Sequence, residues 1–169
     1  VRVGAGSFTG RRAALAFAHG LSAGSGCAVV GVTSGEAMLD AMRAAAKPFS
    51  ARPLCCTIAR RGRVFIEMPG AGADTRVEAH MLDMLALPAG PLLLAGNGAQ
   101  WVRDAVPERG DDLHLLALMQ PDPLAIATTA LRRWHGGLPP LAAQPLYVDA
   151  PEAKLPAAGL RPAPVAPAL

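Results

Sequence analysis

The residues of this chain best suited to chemistry stand near its beginning, in "VRVGAGSFTGRR". There Gly4, Gly6 and Gly10 bracket the hydroxyls of Ser7 and Thr9. Glycines let backbone amides converge, and hydroxyls add donors, so such a turn between a strand and a helix is able to cradle an anion. Spelled out, the turn fits none of the templates that it suggests. A dinucleotide fingerprint needs G-x-G-x-x-G, and Gly10 arrives one residue late. A Walker A loop needs Gly-Lys-Ser/Thr, and here Arg11 and Arg12 follow Gly10. A nucleophile elbow needs glycines around its serine, and Ala5 and Thr9 take those places around Ser7. Two readings stay open. Either the turn binds an anion, or its glycines permit close packing while Ser7 or Thr9 caps the following helix.

No other constellation points to an enzyme. His19, His80, His114 and His135 are scattered, without a second histidine or a carboxylate at the spacing of a motif such as H-E-x-x-H. Asp111-Asp112 reads as a turn, and Trp101 and Trp134 are too isolated to form a base-stacking platform. The odd count of Cys27, Cys55 and Cys56, without C-x-x-C spacing, argues against a disulfide framework and a zinc site. No catalytic residue, metal or cofactor is therefore expected.

The elements that would position these residues alternate between strand and helix, which makes the chain α/β. Residues 1–4 end a strand, and a helix is expected from Gly10 to Ser22, stopped by the glycines of "GLSAGSG". On it Ala14, Phe17, Ala18 and Leu21 form one apolar stripe, while Ala13, Ala16 and Gly20 make a second face small enough to admit another helix. "CAVVGVTS" predicts a buried strand, with Ser34 capping a helix through "GEAMLDAMRAAA" and Glu36 in its first turn. The segment from Lys47 to Pro53 reads as a domain junction. Beyond it come a hairpin turning at Arg60-Arg61-Gly62, a "GAGAD" loop, and a segment 75–85 that is strand, helix or both in turn. Next are strand, glycine turn and helix over 91–107, then a short strand or buried helical turn at 112–120. A last helix has Asp122 as cap and Pro123 at its first position. Adjacent Cys55 and Cys56 on a strand should face opposite sides of a sheet. Prolines recur from Leu138 onward and predict an extended, wrapping tail. The expected organisation is 1–47 as part of a first α/β domain, 48–137 as a second, and 138–169 as the tail.

Bulk composition agrees with a folded chain. Of 169 residues 51% are apolar and 17% charged, enough for a core built from Ala, Leu and Val, since aromatics are only 4%. The net charge of +3 is too mild to mark a nucleic-acid stripe. No apolar run is long enough to cross a membrane, and the cysteines suit a reducing compartment, so a soluble cytoplasmic protein is expected.

The string "GAGSFTGRRAALAFAHGLSAGSGCAVVGVTSGEAM" resembles the TsaB (YeaZ-type) family of tRNA threonylcarbamoyladenosine biosynthesis. Members carry G-P-G-S-F-T-G-x-R, an Ala/Gly-rich helix ending in G-L-A, and a V-G-V-S strand leading into a helix. Gly4, Gly6, Ser7, Phe8, Thr9, Gly10 and Arg12 match, with Ala5 where proline is usual, and Gly20-Leu21 and Gly31-Val32 follow in step. "TIARRGRVFIE" is similar to the family's I-D-A-R-x-G-E-V-Y at Ala59, Arg60, Gly62 and Val64, departing at Thr57 and Arg63. "GNG" at 96–98 and "QPLYVDAPEAKLP" resemble later family segments, with Asp149 replacing an arginine.

The resemblance implies the actin/Hsp70/sugar-kinase fold, with two related α/β domains and the first one incomplete here. Family strands and a helix precede the opening turn, so the chain is expected to be a fragment. It also implies a non-catalytic scaffold that binds and activates a TsaD-like catalytic subunit beside a TsaE-like ATPase. Transfer RNA is met only through that complex, and a homodimer forms when the partner is absent. Older usage calls such proteins glycoproteases, an activity that nothing in these residues supports. Arg12, Ala13, Ala16, Phe17, Gly20 and Leu21 are the expected interface residues. The alternative is a nucleotide-binding enzyme of the same fold that holds phosphate on the turn from Gly4 to Gly10.

Overall fold

The computed structural model describes residues 1–4, 8–60, 62–68 and 76–148. Its largest feature is a five-stranded mixed sheet. Its strands are β3 (Arg52–Ile58), β4 (Arg63–Met68), β5 (Arg76–Met81), β6 (Leu92–Ala95) and β7 (Leu113–Leu115), in the order β5-β4-β3-β6-β7. β3 is the middle strand, antiparallel to β4 and parallel to β6. Its run Leu54-Cys55-Cys56 is buried throughout, because strands covered on both faces read as continuous apolar sequence.

The pleat sends Cys55 and Cys56 to opposite faces, as expected. Cys56 joins Leu54, Val64, Ile66, Leu92 and Leu94 beneath Ala99 and Val102 of α3 (Ala99–Ala105). Cys55 joins Leu93 and Ala95 beneath Met38, Met42 and Ala46 of α2 (Ser34–Ala46). Burying a side chain such as Met42 contributes about 2 kcal/mol relative to leaving it in water.

The first part of the chain builds a smaller sheet. β1 (Arg2–Gly4) pairs in parallel with β2 (Val32–Thr33), and α1 (Phe8–Ser25) crosses between them. The expected strand over 27–34 shrinks to two residues, because the strand it pairs with offers only three. α1 is longer than expected at both ends. Phe8, Thr9 and Gly10 belong to its first turn rather than to the preceding loop, and Gly20 and Gly24 do not stop it. It ends where Gly26 takes φ +72° and its N–H reaches Ser22 O at 2.8 Å, a left-handed terminus that suits glycine. The cap of α2 is Thr33, not Ser34. Its hydroxyl accepts from the Glu36 N–H while the Glu36 carboxylate accepts from its own N–H, a reciprocal capping box.

The segment expected as a domain junction is a 3₁₀ turn, Lys47–Phe49, followed by Ser50 at φ 49°. α2 before it and β3 and β6 after it share one core cluster. Residues 75–85 prove to be strand and then helical turn: β5 runs into 3₁₀ Leu82–Met84. α4 (Pro123–Trp134) is capped by Asp122, whose carboxylate accepts from the Leu124 N–H at 2.7 Å, as its sequence predicts.

From 138 to 148 the chain is extended and wraps the smaller sheet. Leu141 O accepts from the Gly31 N–H at 3.1 Å, and the Leu146 N–H donates to Val3 O at 3.0 Å. Among the described residues no helix is long and apolar enough to cross a membrane.

Candidate functional site: the outer face of α1 and the buried charges at α2

The expected turn is only partly within the described residues, since Gly6 and Ser7 lie outside them. Gly4 closes β1 and is buried beneath Leu146, where a Cβ would come within 2.8 Å of that side chain. Its carbonyl accepts from Ser34 Oγ at 2.8 Å, which fastens the turn to the start of α2. Thr9 and Gly10 are exposed on the first turn of α1.

α1 itself is almost unburied. Leu15 is its one core residue among those described, while Ala13, Ala16 and Gly20 are exposed, with Phe17 at 69% and Leu21 at 57% of full exposure. Five of the six expected interface residues thus stand on open helix surface. The sixth, Arg12, turns to the wrapping segment: its Nη2 donates to Tyr147 Oη at 2.7 Å, with the guanidinium 5.9 Å from the ring centroid. His19 Nε2 lies 2.7 Å from Ala143 O on the same segment. The helix is therefore held from one side by Leu15 and two polar ties, and its opposite side is bare.

A second cluster was not foreseen from sequence. Glu67 of β4 is 2% exposed and reaches the first turn of α2. There it accepts from the Thr33 hydroxyl and from the amides of Gly35 at 2.8 Å and Glu36 at 3.3 Å. Gly35 is needed for this approach, since a Cβ there would come within 2.5 Å of the Glu67 carboxyl carbon. Beside it the Glu36 carboxylate meets Arg133 of α4, Nη2 to Oε1 at 2.5 Å. Arg133 also donates to Gly31 O and Pro139 O, both at 2.6 Å.

The two carboxyls titrate in opposite directions. Burial pushes Glu67 up to about 7, against the hydrogen bonds from Thr33 and Gly35. Burial also raises Glu36, but Arg133 and the Thr33 hydrogen bonds outweigh it and hold the group below its ordinary value. The sequence carried part of this arrangement. Thr33-x-x-Glu36 is a capping-box spacing, and Glu67 shares the Phe65 face of its strand with Arg63. Nothing in the sequence connects Glu67 to α2, because Glu67 lies 31 to 34 residues from the groups it bonds and meets them only through the tertiary fold.

The remaining expected residues do not converge. His80 sits beside Glu78 at 3.2 Å, His114 stacks on Phe49 at 3.8 Å, and His135 closes the end of α4. Asp112 lies 3.8 Å from Arg109 in a 3₁₀ turn, and Trp101 and Trp134 stand on different helices.

No protein-family model matches this chain, and none of the curated proteins compared with it does either. Solved structures do match. YeaZ from Pseudomonas aeruginosa superposes with a TM-score of 0.64 at 24% identity, covering 86% of this chain and 71% of that one. An uncharacterized protein with similarity to peptidase YEAZ from Pseudomonas aeruginosa gives 0.61 at 21% identity, covering 86% and 70%. Over most of its length this chain thus has the YeaZ-type fold.

Proposed function

We propose that this chain is a scaffold subunit of TsaB type, which pairs through the outer face of α1 with a TsaD-like catalytic subunit acting on tRNA in the cytoplasm. The observation that carries the reading is the bare side of α1, where Ala13, Ala16 and Gly20 leave room for close helix contact and Phe17 and Leu21 supply apolar area. The finer fold reading, an actin/Hsp70/sugar-kinase architecture with two related α/β domains, goes with it. It is supported by a small parallel sheet carrying α1 beside a separate five-stranded sheet. A TsaE-like ATPase is the expected further member of the assembly, and self-pairing through the same face is expected when the partner is absent.

The competing reading is a nucleotide-binding enzyme of the same fold that holds phosphate on the turn from Gly4 to Gly10, of which Gly6 and Ser7 lie outside the described residues. Gel filtration with light scattering of the protein, alone and mixed with a TsaD-like subunit, tests the proposal. A mixed complex that is lost in Ala16→Trp, with the circular dichroism melt unchanged, is the expected result. Pairing that survives Ala16→Trp would remove α1 from the interface.

A further inference from the structure

On one side the five-stranded sheet ends in β5, and the hydrogen-bond phase of that strand decides which of its groups are free. Just beyond the ladder of β4 and β5, the Leu82 N–H donates to Gly62 O at 3.0 Å, so these two residues face each other as a bonded pair. Such pairs recur at every second residue, which turns the backbone of Arg76, Glu78 and His80 toward β4. The N–H and C=O groups of Val77, Ala79 and Met81 therefore point away from the sheet, and none of them bonds to another described residue.

The residues of β5 do little to blunt this edge. The strand contains neither proline nor lysine. Arg76, Glu78 and His80 share one face, and Val77, Ala79 and Met81 the other. Glu78 stands between its basic neighbours, 2.7 Å from Arg76 Nε and 3.2 Å from His80 Nε2. A second copy of the same strand suits this pattern. Two antiparallel copies bond through their outward groups when Val77, Ala79 and Met81 meet one another about a two-fold axis. Centred on Glu78, the pairing sets Glu78 against Glu78 and Arg76 against His80, and centred on His80 it sets that residue against itself. Centred on Val77 or Met81, it leaves one end of the strand unpaired. Centred on Ala79, it sets each Glu78 against the second copy's His80 and each Val77 against Met81, with the small Ala79 side chains meeting at the axis.

We propose that β5 is an association edge at which two copies of this chain join antiparallel about Ala79, continuing the sheet from one copy into the other. The surface is separate from the outer face of α1. Backbone bonds supply its affinity, and the Glu78–His80 contacts fix its register. So short a contact gives a dimer that exchanges with monomer as concentration changes.

Sedimentation equilibrium of the whole chain carrying Ala16→Trp, which blocks close helix contact at α1, reads this edge without relying on the pairing proposed there. A dimer is expected. Ala79→Pro removes an outward N–H and no bond to β4, and should weaken the dimer by about tenfold or more. Glu78→Lys and His80→Glu should each weaken it about fivefold. The two together should return the Kd to within about twofold of the starting value, because the contact is remade across the strands. That recovery distinguishes a lost contact from a lost fold. A chain that stays monomeric at millimolar concentration would overturn the edge. So would a dimer indifferent to Ala79→Pro, or charge reversals that change nothing or do not recover in combination.

Discussion

The two helices that follow the two short strands are built from similar sequence and do opposite things. α1 and α2 are both rich in alanine and both start at the end of a strand of the same small sheet. Yet among its described side chains α1 buries only Leu15, whereas α2 buries eight in thirteen and lays Met38 and Met42 on the large sheet. The difference shows in what the described residues of each helix are bonded to. α2 is anchored by a capping box, by the Glu67 carboxylate and by Arg133 reaching across from α4. α1 is tied by Arg12 to Tyr147 and by His19 to Ala143. A helix whose polar start is fixed within the fold can commit its apolar face to the core. One held from a single side leaves its other face exposed.

Breaking α2 should therefore cost stability, and breaking α1 should not. The largest effect is expected for Arg133→Met, which takes the compensating cation from the buried Glu36 carboxylate and should cost about 3–5 kcal/mol. Chemical denaturation followed by circular dichroism reads this directly, and a loss below about 1 kcal/mol would mean that the pair is a surface contact in solution.

Met42→Ala comes next, at about 2–5 kcal/mol, through lost burial and the cavity left beneath α2.

The pH dependence sharpens the same comparison. Glu67, raised to about 7 from the ordinary 4.5, contributes stability that is fully present below its unfolded value and is lost as pH rises through 7. That amounts to about 3 kcal/mol between those limits. Glu36, lowered by Arg133, works the other way and is lost as pH falls through its folded value. The groups facing Glu67 are Glu36 with its partner Arg133, and Cys55 across the strand pair. Glu67→Gln should flatten the stability profile above pH 5, and an unchanged slope would show that Glu67 does not titrate in that range.

The smallest stability effect is expected on α1. Phe17→Ser should move the melting free energy by no more than about 0.5 kcal/mol while abolishing association with a TsaD-like subunit. A large loss of stability would show that this face is packed within the protein.

These differences also explain what the sequence disclosed. The hairpin of β3 and β4, the Asp122 cap and the opposed faces of Cys55 and Cys56 follow from residues that lie next to each other, where turn chemistry and pleat decide the outcome. The extension of α1 past Gly20 and Gly24 did not follow. A glycine in an exposed helix costs only about 1 kcal/mol and does not by itself end it, whereas Gly26 does so by its left-handed backbone. Glu67 and Arg133 were illegible because their partners lie far away in sequence. On α1, residue spacing drew the apolar stripe through Ala14, Phe17, Ala18 and Leu21, whereas the structure buries Leu15, leaves Phe17 and Leu21 exposed and binds Arg12 to Tyr147.

The two thiols on β3 give this architecture an internal gauge. Cys27 is exposed, whereas Cys55 and Cys56 are buried beneath different helices, with the Cys56 thiol pushed up to about 12 and Cys55 raised as well. An alkylating reagent meets Cys27 at once. It reaches Cys55 only after α2 lifts, and Cys56 only after the α3 side parts. The order in which the chain gains alkyl mass thus reports which wall of the sheet yields first.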